Sequence, residues 1–259
     1  MDLKGTAAIV TGGARGIGRG IAYELAKEGV RIAIADLPAT AADRDETIAE
    51  IKRLGSDAIA IDCDVRDFAQ CQAMAQTAVD AFGRLDILVN NAGVIKIGPV
   101  ISFAEEDWDL VMDVNVKGTF LCTKAVVPHL AKGGGRIVNL SSIAGKRGRP
   151  IASCCSTSKW AVIGFTQSMA YELAASGINV NAICPGEVKT FMWSDVLMPA
   201  VAAGMGMAKD EAWEAMLKRD VPLGREQTPQ DMGQAVVFLC KADNITGVSL
   251  NVSGGTEMN

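Results

Sequence analysis

The chain has 259 residues, 49% of them apolar, a formal net charge of −5 and seven cysteines. That length supports one large core, the acidic balance without a basic block excludes a nucleic-acid binder, and the longest apolar runs are far too short to span a bilayer. The cysteines are odd in number and lack metal-ligand spacing, and MDLKGTAAIVTGG leads directly into a strand-like run without signal- or transit-peptide layout; we therefore expect reduced thiols in a cytoplasmic protein with no bound metal and no membrane association.

Residues 6–11 (TAAIVT) read as a buried strand. Gly12, Gly13, Gly16 and Gly18 follow with the spacing T-G-x-x-x-G-x-G, with Arg15 and Ile17 between them, and an amphipathic helix covers 17–28. Glycines in such a turn let the backbone approach a pyrophosphate, and the helix N-terminus offers free N–H groups and partial positive charge. Residues 30–36 (VRIAIAD) read as a second strand ending in Asp36. A carboxylate about 20 residues beyond a glycine loop accepts hydrogen bonds from both ribose hydroxyls and repels a 2′-phosphate. Asp36 thus favours NAD over NADP; Arg15 is the loop cation placed to oppose it, and Leu37-Pro38 supplies no other.

Further on, 40–54 and 68–82 read as helices, 57–62 as a strand followed by Asp64-Val65, and 86–90 as a strand leading into Asn90-Asn91-Ala92-Gly93. Residues 103–130 carry apolar residues at helical spacing around Asn115, with His129 read as a helix-terminus residue. An apolar run from Arg136 ends at Ser141-Ser142, and a Gly/Pro-broken basic loop with Lys146, Arg147 and Arg149 leads to a helix start carrying Cys154, Cys155 and Lys159. That helix continues over 160–175, 178–184 is another strand, and Pro185-Gly186, Val188 and Thr190 follow. The segment 191–220 is rich in Met and Trp, 229–239 is the last helix, and 246–255 ends the sheet. Strands alternating with helices of about ten to fifteen residues indicate an α/β protein with a doubly wound parallel sheet.

These motifs, in this order, resemble the short-chain dehydrogenases/reductases over essentially the whole chain. Members of that family place a serine after a strand, a tyrosine thirteen residues later and a lysine one helical turn beyond. Ser142 and Lys159 keep that register, but position 155 is cysteine, and neither Tyr23 nor Tyr171 can be shifted into its place. The resemblance implies a single Rossmann-type domain over 1–259, with a substrate lid near 191–220, assembled as a homotetramer or, as the second alternative, a dimer. It implies NAD held by Gly12, Arg15, Gly16, Ile17, Gly18 and Asp36, with Asp64-Val65 over the adenine. Asn91, Ala92 and Gly93 would lie beside the ribose, Lys159 on its hydroxyls, and Pro185, Gly186, Val188 and Thr190 around the nicotinamide. The implied catalytic set is Asn115, Ser142, Cys155 and Lys159, acting on a small-molecule alcohol or ketone with polyols, sugars and hydroxyketones leading.

In that family a tyrosine carries the alcohol proton while hydride moves, which is general acid/base catalysis worth about 10²–10⁴-fold. A thiol has a suitable free pKa of about 8.5, but its sulfur lies one bond beyond Cβ, short of where a phenol oxygen would be. Three readings of Cys155 stand at this point: an ordinary dehydrogenase lineage impaired by the substitution, an enzyme with altered cysteine-dependent chemistry, or an NAD-binding protein without turnover.

Overall fold

Seven short apolar segments, three of them buried along their whole length, pair side by side in parallel in a computed structural model that describes residues 1–130 and 134–259. The strands are β1 (Ala7–Thr11), β2 (Arg31–Asp36), β3 (Ala58–Asp62), β4 (Ile87–Asn90), β5 (Arg136–Leu140), β6 (Asn179–Pro185) and β7 (Ser249–Val252). Their order is β3-β2-β1-β4-β5-β6-β7. Near-continuous Ile, Val and Ala in these runs match strands covered on both faces by helices.

The helices are α1 (Gly16–Lys27), α2 (Ala41–Arg53), α3 (Phe68–Phe82), α4 (Glu105–Met112), α5 (Gly118–Val126), α6 (Ser153–Leu173), α7 (Met198–Met205), α8 (Lys209–Asp220) and α9 (Pro229–Lys241). On one face of the sheet, Ile21, Leu25, Ile51, Met232 and Val236 of α1, α2 and α9 cover Val10, Ile32 and Ile34. On the other, Met74, Phe82, Leu121, Val126 and Leu173 of α3, α5 and α6 cover Ile9, Leu88 and Ile137. A third, smaller cluster of Met198, Trp213, Met216 and Leu217 holds α7 to α8 above the sheet. The chain leaves β1 toward β2 and β3, then returns to place β4 on the opposite side of β1. This reversal opens a crevice at the strand C-termini, where ligands of open α/β sheets bind.

The helical run expected over 103–130 is interrupted. Asp113–Lys117 forms a π-helical turn between α4 and α5, and the last turn, Val127–His129, is a 3₁₀ segment containing Pro128. The interruption falls where the Asn115 amide is committed to Val94 on a neighbouring loop, Val94 N–H to Oδ1 at 2.9 Å and Nδ2 to the Val94 carbonyl at 3.0 Å. The final strand is also shorter than 246–255, pairing only Ser249–Val252 against Ala182–Pro185.

A buried polar ladder crosses the centre of the sheet. Asn90 and Asn139 are opposite each other in β4 and β5; Asn90 Nδ2 donates to Asn139 Oδ1 at 2.8 Å and to Thr123 Oγ1 at 3.1 Å, and Asn139 Nδ2 donates to Thr166 Oγ1 at 2.9 Å. Asn139 therefore links β4, β5 and α6 inside the apolar core. Asn139→Ala is expected to lower stability by about 2 kcal/mol, the scale of leaving buried partners unpaired; urea unfolding that shows less than about 0.5 kcal/mol would remove the ladder from the account.

Candidate active site

The loop between β1 and α1 is pinned to the end of β4 by one side chain. Asn91 Nδ2 donates to the carbonyls of Thr11 (2.9 Å) and Gly12 (2.8 Å), while Thr11 Oγ1 accepts from the N–H groups of Asn91 (3.0 Å) and Ala92 (3.1 Å). The approach is so close that a Cβ on Gly12, whose φ is +61°, would lie 2.8 Å from Ala92 Cα. A Cβ on Gly18 would run into the Gly12 carbonyl and Asn91 Nδ2. Gly16, Ile17 and Gly18 begin α1, whose first turn holds no acidic residue and whose start has no side-chain cap among the described residues. By contrast, Asp67 caps α3 and Thr228 caps α9. Free N–H groups at an uncapped helix start behind a glycine cradle suit an anion such as a pyrophosphate.

Asp36 ends β2 beside this cradle, its Oδ2 accepting from Ala14 N–H at 3.0 Å and Oδ1 from Leu37 N–H at 2.8 Å. Two arginines that spacing alone did not reveal converge here, because α1 and α2 fold over the end of β2. Arg19 Nε donates to the Ala14 carbonyl at 3.0 Å and its Nη2 lies 3.1 Å from Glu46 Oε2. Arg44 pairs with Asp62 at 2.7 Å and reaches the Asp36 carbonyl at 3.4 Å. The sequence reading that only Arg15 stands near Asp36 is corrected to that extent. Arg15 itself extends along the surface, 4.7 Å above the Phe191 ring and 3.9 Å from Asp43.

Asp64 is clasped by Arg66, with Nη2 to Oδ2 at 2.6 Å, and this contact holds its carboxyl below the usual range. Val65 is buried beside it. On the other side of the crevice, Gly186 N–H donates to the Val252 carbonyl at 3.1 Å, Val188 bridges Gln227, and Thr190 lies beside Gly16. Pro185 is the last residue of β6.

The implied catalytic residues gather at the ends of β4 and β5 and the start of α6. Lys159 Nζ donates to the Leu140 carbonyl at 2.8 Å; its enclosed ammonium loses hydration, which lowers its pKa. Gly93 lies next to both Lys159 Nζ and Asn115 Oδ1. Asn115 Nδ2 reaches Ser158 Oγ at 3.1 Å, one residue before Lys159, and its backbone carbonyl accepts from Thr119 Oγ1 at 2.8 Å. Ser142 Oγ accepts from Ala144 N–H at 3.1 Å, so its own hydroxyl proton remains free to donate. Cys155 is on the first turn of α6, 7% exposed. Among the described residues its sulfur makes no hydrogen bond to Ser142 or Lys159, and burial raises the thiol pKa, with the Lys159 charge opposing. Cys154, fully buried, points its thiol at the Trp108 carbonyl at 3.8 Å.

The loop between Ser142 and Cys155 carries a feature that no sequence motif signalled. Ile151 has φ +56° with its side chain exposed, and its carbonyl accepts from Gly98 N–H at 2.8 Å. A β-branched residue in the left-handed region is strained, and such strain gathers at binding sites. Of the basic residues in this loop, Lys146 bonds the carbonyls of Ser249 (3.0 Å) and Asn259 (2.8 Å), and Arg147 pairs with Glu257 at 3.5 Å.

A glycine cradle at the β1/β4 crevice, with serine and lysine on the neighbouring strand and helix, defines a nucleotide-dependent oxidoreductase scaffold, and the chain belongs to the short-chain dehydrogenase family, whose model matches residues 6–199. It is 38% identical to the galactitol 2-dehydrogenase of Agrobacterium fabrum over 262 residues, covering 100% of both chains. It is 39% identical to the 3-oxoacyl-[acyl-carrier-protein] reductase FabG of Staphylococcus aureus over 254 residues, covering 97% of this chain and 98% of the relative. Among solved structures, a single-substitution variant of the actinorhodin polyketide ketoreductase with NADPH superposes with a TM-score of 0.91 at 36% identity, covering 97% of each chain. Among the described residues no helix is long and apolar enough to cross a membrane.

Because burial favours the protonated thiol, Cys155 is expected to remain uncharged at pH 7.5. Iodoacetamide should alkylate it at least about tenfold more slowly than a free cysteine, with the rate still climbing above pH 9. Peptide mass spectrometry over a pH series measures this, and fast labelling at neutral pH would contradict it.

Proposed function

We propose that the chain is an NAD-preferring dehydrogenase that interconverts a secondary alcohol of the polyol, sugar or hydroxyketone class with its ketone, and that Cys155 slows it. The observation that carries this reading is that Ser142, Lys159 and Asn115 stand together at the ends of β4 and β5 and the start of α6, while the Cys155 thiol makes no hydrogen bond to Ser142 or Lys159 among the described residues.

The residues present fit a dinucleotide: the cradle of Gly12, Gly16 and Gly18 and the uncapped start of α1 suit the pyrophosphate. Asp36 suits the adenosine ribose, Asp64 and Val65 the adenine, Asn91–Gly93 and Lys159 the second ribose, and Val188 and Thr190 the carboxamide end. When bound, the nicotinamide supplies the hydride acceptor or donor. Ser142 holds the substrate oxygen with its free O–H, and the Lys159 charge favours the alkoxide that develops there. Asn115 fixes the loop after β4 through Val94 and steadies the start of α6 through Ser158, keeping the lysine aligned. What the set lacks is a proton carrier at phenol distance. A raised thiol pKa weighs against a reactive thiolate at neutral pH, and so against cysteine-dependent chemistry.

Asp36 supports NAD. The three arginines around it, Arg15, Arg19 and Arg44, are outnumbered by Asp36, Asp43, Glu46 and Asp62, so a 2′-phosphate meets a net negative surround. The NADPH in the ketoreductase is a property of that protein. The galactitol 2-dehydrogenase relative supports the polyol class. We assign α7 and α8 with the preceding turn to the substrate lid and take the assembly to be a homotetramer.

Calorimetric titration is expected to give tighter binding for NADH than for NADPH; equal or reversed affinities would overturn the cofactor assignment. Cys155→Tyr is expected to raise alcohol oxidation by at least about 10²-fold, the scale of one general acid/base, whereas Cys155→Ser should not. If the unaltered chain is already fast and the tyrosine variant is dead, the cysteine is the working group.

A further inference from the structure

Ser142 opens a tight hydrogen-bonded turn. Its Oγ accepts from Ala144 N–H at 3.1 Å and its carbonyl from Gly145 N–H at 2.9 Å. The Ile143 carbonyl accepts in turn from the N–H groups of Lys146 (3.0 Å) and Arg147 (3.2 Å). This turn rests on the backbone of Lys159: a Cβ on Gly145 would lie 2.6 Å from Ser141 Oγ and 2.7 Å from the Lys159 carbonyl oxygen. Whatever holds the far end of the turn therefore sets where Ser142 stands relative to Lys159.

Lys146 holds that end. Its ammonium donates to the carbonyls of Ser249 on β7 (3.0 Å) and Asn259 (2.8 Å). A charged donor makes such bonds stronger than a neutral one does. Strand β7 is separated from β5 by β6, so the side chain ties the turn to a strand that β5 does not pair with. The segment after β7 is itself anchored. Asn251 Nδ2 donates to the carbonyls of Glu257 (3.1 Å) and Asn259 (2.9 Å), and Ser253 Oγ lies 3.3 Å from both the N–H and the carbonyl of Glu257. Arg147 adds a longer contact, Nε to Glu257 Oε2 at 3.5 Å. The same segment abuts the turn after β6. A Cβ on Gly186 would lie 2.8 Å from Ser253 Cα, and Thr256 Oγ1 is 3.1 Å from Glu187 Oε2. Residues 253–259 thus touch both the turn that carries Ser142 and the turn that leads to Val188.

Resting on the alcohol-dehydrogenase reading above, we infer that Lys146 is a positioning residue for Ser142, and that residues 253–259 act through it to fix the serine relative to the 186–188 turn. On that reading Ser142 holds the substrate oxygen while the nicotinamide lies beside Val188. The separation of the two turns then sets the approach of the reacting carbon to the cofactor. A misplacement of about 1 Å in such a geometry can cost about 10²-fold in rate. Removing the Lys146 charge leaves the Ser142 hydroxyl in place but lets its turn relax. The glycine cradle belongs to β1 and α1, at a distance from β7 across the sheet, so the loss falls on kcat rather than on cofactor affinity.

The test uses butane-2,3-diol, butan-2-ol and galactitol with NAD in a Cys155→Tyr background, with kcat expressed per NADH-binding site. Lys146→Met is expected to lower kcat at least about tenfold while the NADH Kd stays within about twofold. Lys146→Arg, which keeps charged donors, should recover most of that loss. Thr256→Val, which removes the link to Glu187, is expected to cost at least about threefold, and the double variant should be no slower than Lys146→Met alone, because contacts acting through one segment are not additive. Hydrogen exchange of the 144–147 amides, read by mass spectrometry without turnover, should quicken at least about tenfold in Lys146→Met. A merely structural role predicts instead a lowered Tm and fewer NADH-binding sites, with kcat per site unchanged. The inference is overturned by that pattern, by a Thr256→Val variant as fast as its parent, by losses that multiply in the double variant, or by unchanged exchange. A parent that oxidises none of the three alcohols while binding NADH overturns the dehydrogenase reading itself, and this inference falls with it.

Discussion

The contact on which the site depends is the Asn91 amide bridging the Thr11 and Gly12 carbonyls. It closes the crevice between β1 and β4 at the point where the winding of the sheet reverses, and it satisfies two backbone acceptors that the glycine turn would otherwise leave exposed. With Thr11 Oγ1 accepting from two N–H groups in return, the junction is locked from both sides. Its tightness explains why Gly12 and Gly18 have no room for a side chain. The cradle is thus fixed before any ligand arrives, so binding need not supply the ordering entropy.

A second network radiates from the neighbouring strands to the reacting groups. Asn115 joins the loop after β4 to α6, Lys159 returns to the Leu140 carbonyl, and Ser141 Oγ donates to the Lys159 carbonyl at 2.9 Å. The lysine is therefore held at both its backbone and its ammonium, and Ser142 is fixed by its neighbour's contact. The Cys155 carbonyl joins the network by accepting from Ser158 Oγ at 2.8 Å, but its thiol makes no hydrogen bond among the described residues. Its position is set by the helix, its chemistry by burial, and its reach by a short side chain. The frame for alcohol oxidation is rigid around the one residue that does not complete it, so geometry rather than pKa governs what this site can do.

Much of this was legible in the chain itself. Buried apolar runs separated by amphipathic helices dictated a parallel sheet, and the glycine spacing, Asp36, NNAG and the Ser142–Lys159 register located the site. The interruption at Asn115 was not legible, because helical spacing of apolar residues continues unbroken through 103–130 and the amide's partner, Val94, lies on a different loop. Nor were Arg19 and Arg44, whose places beside Asp36 arise from the packing of α1 and α2 rather than from any motif.

The amino-acid sequence by itself determined the class of the sheet, the family and the absence of a tyrosine at position 155, since each is a matter of local pattern and spacing. Tertiary structure alone decided which charges are satisfied. Of three basic residues within four positions, it gave Lys146 two carbonyls and Arg147 a carboxylate, and left a guanidinium nitrogen of Arg149 buried without a partner among the described residues. It also enclosed Glu187 without a cation at contact distance. The reason is physical: a residue's type fixes its charge, but its hydration and its partners depend on segments far away in the chain that only folding brings to it.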